Sequence, residues 1–346
     1  MGLTPYLEIG GDYREIVPGV FLVELPLPFS LGLINVYLWR LDEGYLLVDC
    51  GMETEACLRA LARAREGLGL AWSDIRHILL THIHPDHMGL APKLRDLTGA
   101  QLHVHAADLE LLEHITQTDS YNAWQRDFLT AAGVPDSLIA LISGSLADVH
   151  RSFHRLSPDR LLQGGETFAA PAGGIEVVWT PGHSPGHVCL YEFARRLLLS
   201  GDHILEHISP NIGWHPGRDA LGEYLASLDL VGEREVDLLL PSHGSPFTGH
   251  RAWVRRTHAH HAARCHRIVQ ALDGRPQTAN DLVAALWERD LSPFHYRFAI
   301  FEVMAHLEYL RRRGAVLEDV RDGVAWWRRP PASVSSGTGS PGSRNV

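Results

Sequence analysis

Between Val20 and Asp49 the apolar positions fall in short runs, GVFLVEL, INVYLWR and YLLVD, the last two separated by the turn residues Asp42-Glu43-Gly44. Short β-branched and aromatic runs bounded by turn residues predict strands, here a hairpin feeding a central strand. The Ala/Leu/Arg-rich segment 53–68 has helical spacing, and IRHILLT after it reads as a buried strand. LHVH at 102–105 repeats the strand signal after the helical APKLRDL, so the N-terminal half alternates β and α in the manner of a layered α/β domain. From about Ala106 to Leu156 the spacing turns helical, with Tyr121, Trp124 and Phe128 three and four apart on one face. An aromatic stripe of this kind is expected to pack the insertion onto the core. Strand-like runs then resume as IEVVW, VCLYEF, LLLSGD and VDLLLPSH.

Past His243 the chain is helical and Arg/His-rich to about Leu272, continues as TANDLVAALW, and then predicts a helix over 299–312 with Ile300, Phe301, Met304, Leu307 and Leu310 on one face. GAVLEDVRDGVAWWR follows as a hairpin. Helix, helix and a two-stranded wing predict a small winged-helix-like module over 251–329, behind a catalytic domain over 15–250 that contains the helical insertion 106–156. The Pro/Ser/Gly-rich tail 330–346 has no apolar periodicity and is predicted disordered.

Composition adjusts this picture in three ways. With 346 residues, 45% of them apolar, the chain is long enough to bury one large core and a smaller one. A formal charge of −10 gives no overall field that would draw in a polyanion. The cysteines Cys50, Cys57, Cys189 and Cys265 lack short paired spacing, which argues against a disulfide framework and a four-thiolate zinc site and fits a reduced cytosol. The apolar stretch 20–39 is broken by Glu24, Pro26 and Pro28 and has no basic leader, so it is expected to be neither signal peptide nor spanning helix. A cytoplasmic protein without a membrane anchor is the expectation.

The candidate chemistry is concentrated in T-H-I-H-P-D-H-M-G at 81–89, where His82, His84, Asp86 and His87 occupy four of six positions directly after a predicted strand. Such a loop can aim His82 and His84 at one cation while Asp86 and His87, past Pro85, face another, and mixed imidazole and carboxylate ligation suits zinc. Three more apolar strands end in a turn with one candidate ligand each: VVWTPGHSPGH with His183, LLLSGDHI with Asp202 and LLLPSHG with His243. No serine or cysteine nucleophile is needed for such a site, since metal-activated water can supply it.

These motifs in this order, together with N-V-Y-L at 35–38 and L-V-D-C-G at 47–51, resemble the metallo-β-lactamase superfamily over about residues 15–250, and within it the glyoxalase II-like hydrolases. The resemblance implies an αββα sandwich with His82, His84 and His183 on a first metal, Asp86, His87 and His243 on a second, and Asp202 bridging. It makes Asp49 an outer carboxylate that orients ligands. Two zinc ions are the implied cofactors, with iron or manganese as alternatives. Relatives with di-iron redox centres place Glu where His84 stands, so His84 favours hydrolysis. Two cations about 3.5–4 Å apart would bridge a hydroxide able to attack an ester, thioester or lactone carbonyl, with Asp86 and Asp202 as the catalytic carboxylates and Asp86 the proton acceptor. A comparable S-P-N-I stretch accompanies acyl-type substrates in similar bacterial hydrolases. That makes His207 and Asn211 candidate pocket residues, beside Tyr121 and Trp124 of the insertion. His187, His203 and Asp42 are read as structural or as supporting the ligands from behind, not as ligands.

Three other readings compete. The C-terminal module resembles one found on relatives that cleave RNA, and Arg251, Arg255, Arg256, Arg264, Arg267 and Arg311 to Arg313 could form a phosphate-facing stripe. An endoribonuclease or phosphodiesterase is therefore the enzymatic alternative, although the module is better suited to wall the pocket or to pair subunits as a homodimer. A non-catalytic nucleic-acid sensor would be expected to have lost a ligand, and none of the seven is missing. Mononuclear iron chemistry, such as sulfur dioxygenation, would use a similar loop.

Overall fold

The computed structural model describes residues 13–28, 32–287 and 290–331, except for the side chains of 146–151. The expected disordered tail lies, from residue 332 on, outside the described residues. Side-chain alternation along the strands decides the architecture. In β2 (Val20–Pro26) and β3 (Leu33–Arg40), Val20, Leu22, Tyr37 and Trp39 enter one core while Val23, Leu25, Val36 and Leu38 enter another, as the period of two in a strand requires. Both faces are apolar, so the sheet needs a cover on each side. With β1 (Tyr13–Val17), β4 (Tyr45–Val48), β5 (Ile75–Leu79), β6 (Gln101–His105) and β7 (Arg160–Leu162) these strands form a seven-stranded sheet in chain order. Pairing is antiparallel through β4 and parallel from β4 to β7.

A second sheet of five strands runs β12-β11-β10-β9-β8, made of β8 (Thr167–Phe168), β9 (Ile175–Trp179), β10 (Val188–Glu192), β11 (Leu197–Gly201) and β12 (Leu238–Pro241). The sheets stack through Leu22, Tyr37 and Trp39 against Val177, Leu190 and Leu199. The outer face of the first sheet is covered by α1 (Glu55–Gly67), using Cys57, Ala60, Leu61 and Ala64, and by α3 (Ala91–Thr98); the short α2 (Pro85–Met88) lies between them in the chain. On the second sheet, α7 (Ala220–Gly232) contributes Leu221, Tyr224 and Leu228, and α8 (His250–Ala271) contributes Trp253. Helix, sheet, sheet, helix is the expected αββα sandwich.

The insertion is helical, comprising α4 (Ala106–Thr116), α5 (Thr118–Ala131) and α6 (Asp136–Arg151) between β6 and β7. Its packing partner differs from the expectation. Phe128, Leu129, Ile139 and Ile142 share a core with Ile268, Leu282, Ile300, Leu307 and Trp327, which belong to α8, α9 (Ala279–Leu286), α10 (Pro293–Arg312) and the hairpin β13 (Leu317–Arg321)–β14 (Val324–Arg328). Periodicity reveals which face of a helix is apolar and is silent on what covers it. Helices α5 and α6 and the C-terminal elements are thus one packing unit, while α4 packs on the core of the first sheet through Leu112, as expected. Helix α10 also starts earlier than the expected residue 299, because Ser292 caps it with a hydrogen bond from His295 N–H at 3.3 Å and Pro293 takes the first helical position.

Leu307 is fully buried where these elements meet. Leu307→Ala is expected to destabilise the protein by about 2–5 kcal/mol, read from the midpoint and slope of urea unfolding, and a loss below about 1 kcal/mol would mean that this shared core is loosely packed.

Candidate metal centre

The candidate ligands follow the carboxyl ends of strands from both sheets, and a small set of hydrogen bonds joins those ends. Asn35 Nδ2 donates to the carbonyls of Pro241 at 2.9 Å and Gly244 at 2.7 Å, and Tyr37 Oη donates to the Pro241 carbonyl at 2.8 Å. These bonds pin the turn carrying His243 to the first sheet. Across the centre, Val188 N–H of β10 donates to Thr81 O at 2.9 Å, tying the His82 loop to the second sheet. At the end of β11, Gly201 has φ 52°, and a Cβ there would lie 2.6 Å from His187 Nε2. Only glycine permits that approach. His187 Nε2 accepts the Asp202 N–H at 3.1 Å, so its Nδ1–H donates to Thr180 Oγ1 at 2.8 Å.

At one side of the centre His84 Nδ1 lies 2.8 Å from His82 Nε2 and 3.1 Å from His183 Nε2. At the other side Asp86 Oδ2 lies 3.4 Å from His243 Nε2 and 3.8 Å from His87 Nε2. Asp202 stands between them, with Oδ2 3.6 Å from His183 Nε2 and Oδ1 3.7 Å from His87 Nε2 and 3.6 Å from His243 Nε2. Each of the triads His82/His84/His183, Asp86/His87/His243 and His82/His87/Asp202 has its donor atoms within 4.8 Å of one another. The seven residues named from the sequence are thereby brought together.

The far sides of three of the imidazoles are committed. His183 Nδ1–H donates to Asn211 O at 2.9 Å, His243 Nδ1–H to Leu33 O at 3.0 Å and His87 Nδ1–H to Asp49 Oδ2 at 2.8 Å. These bonds aim Nε2 of each of these rings at the centre. His87 Nε2, His243 Nε2 and Asp202 Oδ1 are buried without a hydrogen-bond partner. A buried polar atom left unsatisfied costs about 1–3 kcal/mol, and three aimed at one spot match the donor set of a divalent cation.

Asp49 is itself held in a demanding conformation. Its φ is 62°, in the left-handed region that few non-glycine residues adopt. From there its carboxylate accepts from Thr81 N–H at 2.8 Å, Thr81 Oγ1 at 2.8 Å and His87 Nδ1–H. Burial pulls the His84 imidazole down to about 3, with the neighbouring His183 adding to the effect, and holds His82 well below its ordinary range. Both rings therefore offer lone pairs near neutrality. Burial also acts to lower His87, but the carboxylates of Asp49, Asp86 and Asp202 outweigh it and raise that ring well above its ordinary value. For Asp202 burial acts upward, and His243 and His87 overcome it to hold the carboxyl well below the usual range. One triad is thus all imidazole and the other carries the negative charge.

The residues named for the substrate pocket scatter. His207 has a side chain 78% exposed and pairs with Glu206 at 3.1 Å. Asn211 meets the centre through its carbonyl, while its side-chain amide reaches Glu302 Oε2 of α10 at 3.3 Å. Tyr121 and Trp124 belong to an aromatic cluster with Phe128, Trp214 and Phe301, between the insertion and α10. Two positioning groups escaped the sequence reading, Asp108 and the Leu33 carbonyl, because a buried aspartate in a helix and a backbone carbonyl carry no signal; His187, the second histidine of H-S-P-G-H, takes a supporting place behind the Asp202 amide.

Asp202→Ala removes the one side chain that reaches both triads, and His84→Ala removes the nitrogen on which two others converge. Elemental analysis of either purified variant is expected to show less than half the wild-type metal, with an unchanged far-ultraviolet dichroism spectrum. Full metal content would refute the centre.

Comparison with known proteins agrees with this geometry. A family model described as Metallo-beta-lactamase superfamily matches residues 30–243, and one described as Metallo-beta-lactamase-like, C-terminal domain matches 265–330. "Probable metallo-hydrolase YqjP" of Bacillus subtilis is 26% identical over 316 residues, which cover 86% of this chain and 93% of that protein. "Acyl-coenzyme A thioesterase MBLAC2" of Gallus gallus is 25% identical over 269 residues, 74% of this chain and 89% of the other. Among solved structures, a metallo-beta-lactamase family protein from Thermus thermophilus superposes with a TM-score of 0.78 at 31% identity, over 91% of this chain and all of that one (100%). A beta-lactamase domain protein from Burkholderia ambifaria gives 0.83 at 30% identity, over 94% and 96%. With the sandwich, the His/Asp donor groups and these matches together, the chain belongs to the metallo-β-lactamase superfamily and is a metal-dependent hydrolase.

Proposed function

We propose that the chain is a binuclear zinc hydrolase cleaving an acyl bond, an ester, thioester or lactone. The observation that carries this reading is Asp202, whose two carboxylate oxygens divide between the two donor triads, as a bridging ligand does. In the proposed assignment His82, His84 and His183 hold one ion, Asp86, His87 and His243 hold the other, and Asp49 orients His87. Divalent cations held by these residues would supply a water acidified toward neutrality and an electrophile for the substrate carbonyl. Burial pushes the Asp86 carboxyl up, but His87 and His243 more than offset it, so Asp86 is a carboxylate ready to take the proton of the attacking water. Cysteine chemistry is disfavoured: Cys50 and Cys189 are buried, and burial pushes both thiols up.

The acyl substrate is supported by the name of one relative, an acyl-coenzyme A thioesterase. The nucleic-acid reading is weakened by the pairing of five of the eight arginines named for the stripe. Arg251 meets Glu235 at 2.6 Å, Arg264 meets Glu302 at 3.6 Å, Arg311 and Arg312 both meet Glu308, at 2.8 and 2.6 Å, and Arg313 meets Asp219 at 2.9 Å. Cations already neutralised have little to offer a phosphate backbone. In this reading the helices and hairpin of the C-terminal segment, winged-helix-like in order, serve to brace the loop 206–216 at the metal centre. No described helix is long and apolar enough to cross a membrane, and the cysteines are free, which supports a small-molecule hydrolase of a reducing compartment.

The test is elemental analysis together with hydrolysis of an acyl-coenzyme A, S-acylglutathione, an acyl-homoserine lactone, a bis-phosphodiester and single-stranded RNA, each with and without chelator. Two zincs per chain, and acyl cleavage abolished by chelator and restored by zinc, are expected. Cleavage of RNA or the diester without acyl hydrolysis would overturn the substrate class, and about one iron per chain would overturn the binuclear zinc assignment.

A further inference from the structure

We propose that Asp108, in the first turn of α4, is a positioning residue of the metal centre whose single carboxylate sets the spacing between the loop carrying His82 and His84 and the turn carrying His183. The proposal rests on the metal assignment above. Asp108 is fully buried. Its Oδ2 accepts from Ile83 N–H at 3.2 Å and from Ser184 Oγ at 2.9 Å, and its Oδ1 accepts from Gly186 N–H at 2.6 Å. Ile83 is the residue between His82 and His84, and Ser184 adjoins His183. One rigid group thus touches the backbone of both ligand-bearing segments, and a displacement of it moves both.

The contact is built for an acceptor. All three partners are donors, so a carboxylate satisfies them and a side chain with a donor of its own does not. Arg218 acts on Asp108 only as the smallest of the influences on it, behind the three hydrogen bonds, and a buried charge held chiefly by hydrogen-bond dipoles is a costly way to fill space. Packing by itself would be served better by an apolar side chain. The turn also seats directly on the helix backbone, since a Cβ added to Gly186 would lie 2.6 Å from Asp108 N and 2.7 Å from Asp108 Cβ. Glycine at that position gives the N–H its short path to Oδ1. On the helix side, α4 leaves β6 without a linker and is capped by His105 accepting from Ala107 N–H at 3.2 Å, so the carboxylate stands on a strand end.

The clamp acts on one triad more than the other. His82, His84 and His183 all come from the two segments that Asp108 joins. Asp86 and His87 follow on the first of these segments, but His87 is held separately by Asp49 and by Cys50 N–H donating to its carbonyl at 2.7 Å, and the turn carrying His243 is pinned by Asn35 and Tyr37. Loss of the Asp108 carboxylate should therefore loosen the all-imidazole triad selectively, whereas a general loss of structure would weaken both triads together.

The experiment titrates metal-free protein with zinc against a chromophoric chelator, alongside the cobalt absorption spectrum and the thermal melt of the metal-free form. Asp108→Asn places an amide NH2 against a donor, Ser184→Ala removes one bond with little bulk change, and Asn35→Ala releases the His243 turn as the mirror case. The expected result is two binding steps in the wild type. Asp108→Asn weakens one of them by about 10- to 100-fold, the usual range for outer-sphere partners, Ser184→Ala weakens the same step less, and Asn35→Ala weakens the other. Equal weakening of both steps in Asp108→Asn, or no change in either, would overturn the proposal while two normal wild-type steps leave the metal assignment standing. Absence of binding by the wild type would sink both. If Asp108→Asn does not fold, Ser184→Ala decides on the same criteria.

Discussion

Three buried atoms with no protein partner, His87 Nε2, His243 Nε2 and Asp202 Oδ1, govern the way the rest of the structure is arranged. Each is costly in isolation, and each is turned toward the same point by a hydrogen bond on its far side or by its backbone. A cation removes that cost, and no protein group in the centre does. The surrounding parts serve to hold this unfavourable convergence in place: Asp49 in a left-handed conformation behind His87, the Leu33 carbonyl behind His243 and His187 behind the Asp202 amide.

The sandwich explains why such a convergence is stable. Two sheets with a common apolar layer between them place strand ends at one edge, and bonds such as Asn35 to Pro241 and Val188 to Thr81 fix the distance between loops that no single sheet could relate. Cost is concentrated in a small region, while the cores that offset it lie in the layers beneath. Ligands mounted on strand ends keep their geometry because their backbones are committed to the sheets.

The C-terminal segment is tied to this arrangement through α10. Glu302 meets the side chain of Asn211, whose carbonyl receives the His183 proton, and Trp214 N–H donates to Phe301 O at 3.1 Å. The insertion closes the same unit, with α5 and α6 packed on α10 and on the C-terminal helices. Elements that look like separate additions in the chain therefore form one body against the ligand loops.

The ligand set and the layered α/β class were legible in the sequence because both are local. Apolar runs of period two and three-to-four spacing determine strand and helix over a few residues, and a cation needs donor residue types that stand out, as in T-H-I-H-P-D-H or S-G-D-H. For His207 the sequence could not fix where the side chain points, since neighbouring a ligand loop does not set the direction of an exposed side chain, here beside Glu206. Tyr121 and Trp124 obeyed the apolar periodicity, yet only the fold decided that Trp124 meets Trp214 and Phe301 and that the Tyr121 hydroxyl meets Arg297 of α10. Asp108 was invisible for the same reason: its partners Ile83 and Gly186 lie far away in the chain, and long-range hydrogen bonds leave no local pattern. By itself the sequence determined which residues could bind metal and which elements would carry them. The tertiary structure alone decided which ligands share a triad, which groups aim them and what packs against the insertion, because those depend on distances between segments that only the folded chain brings together.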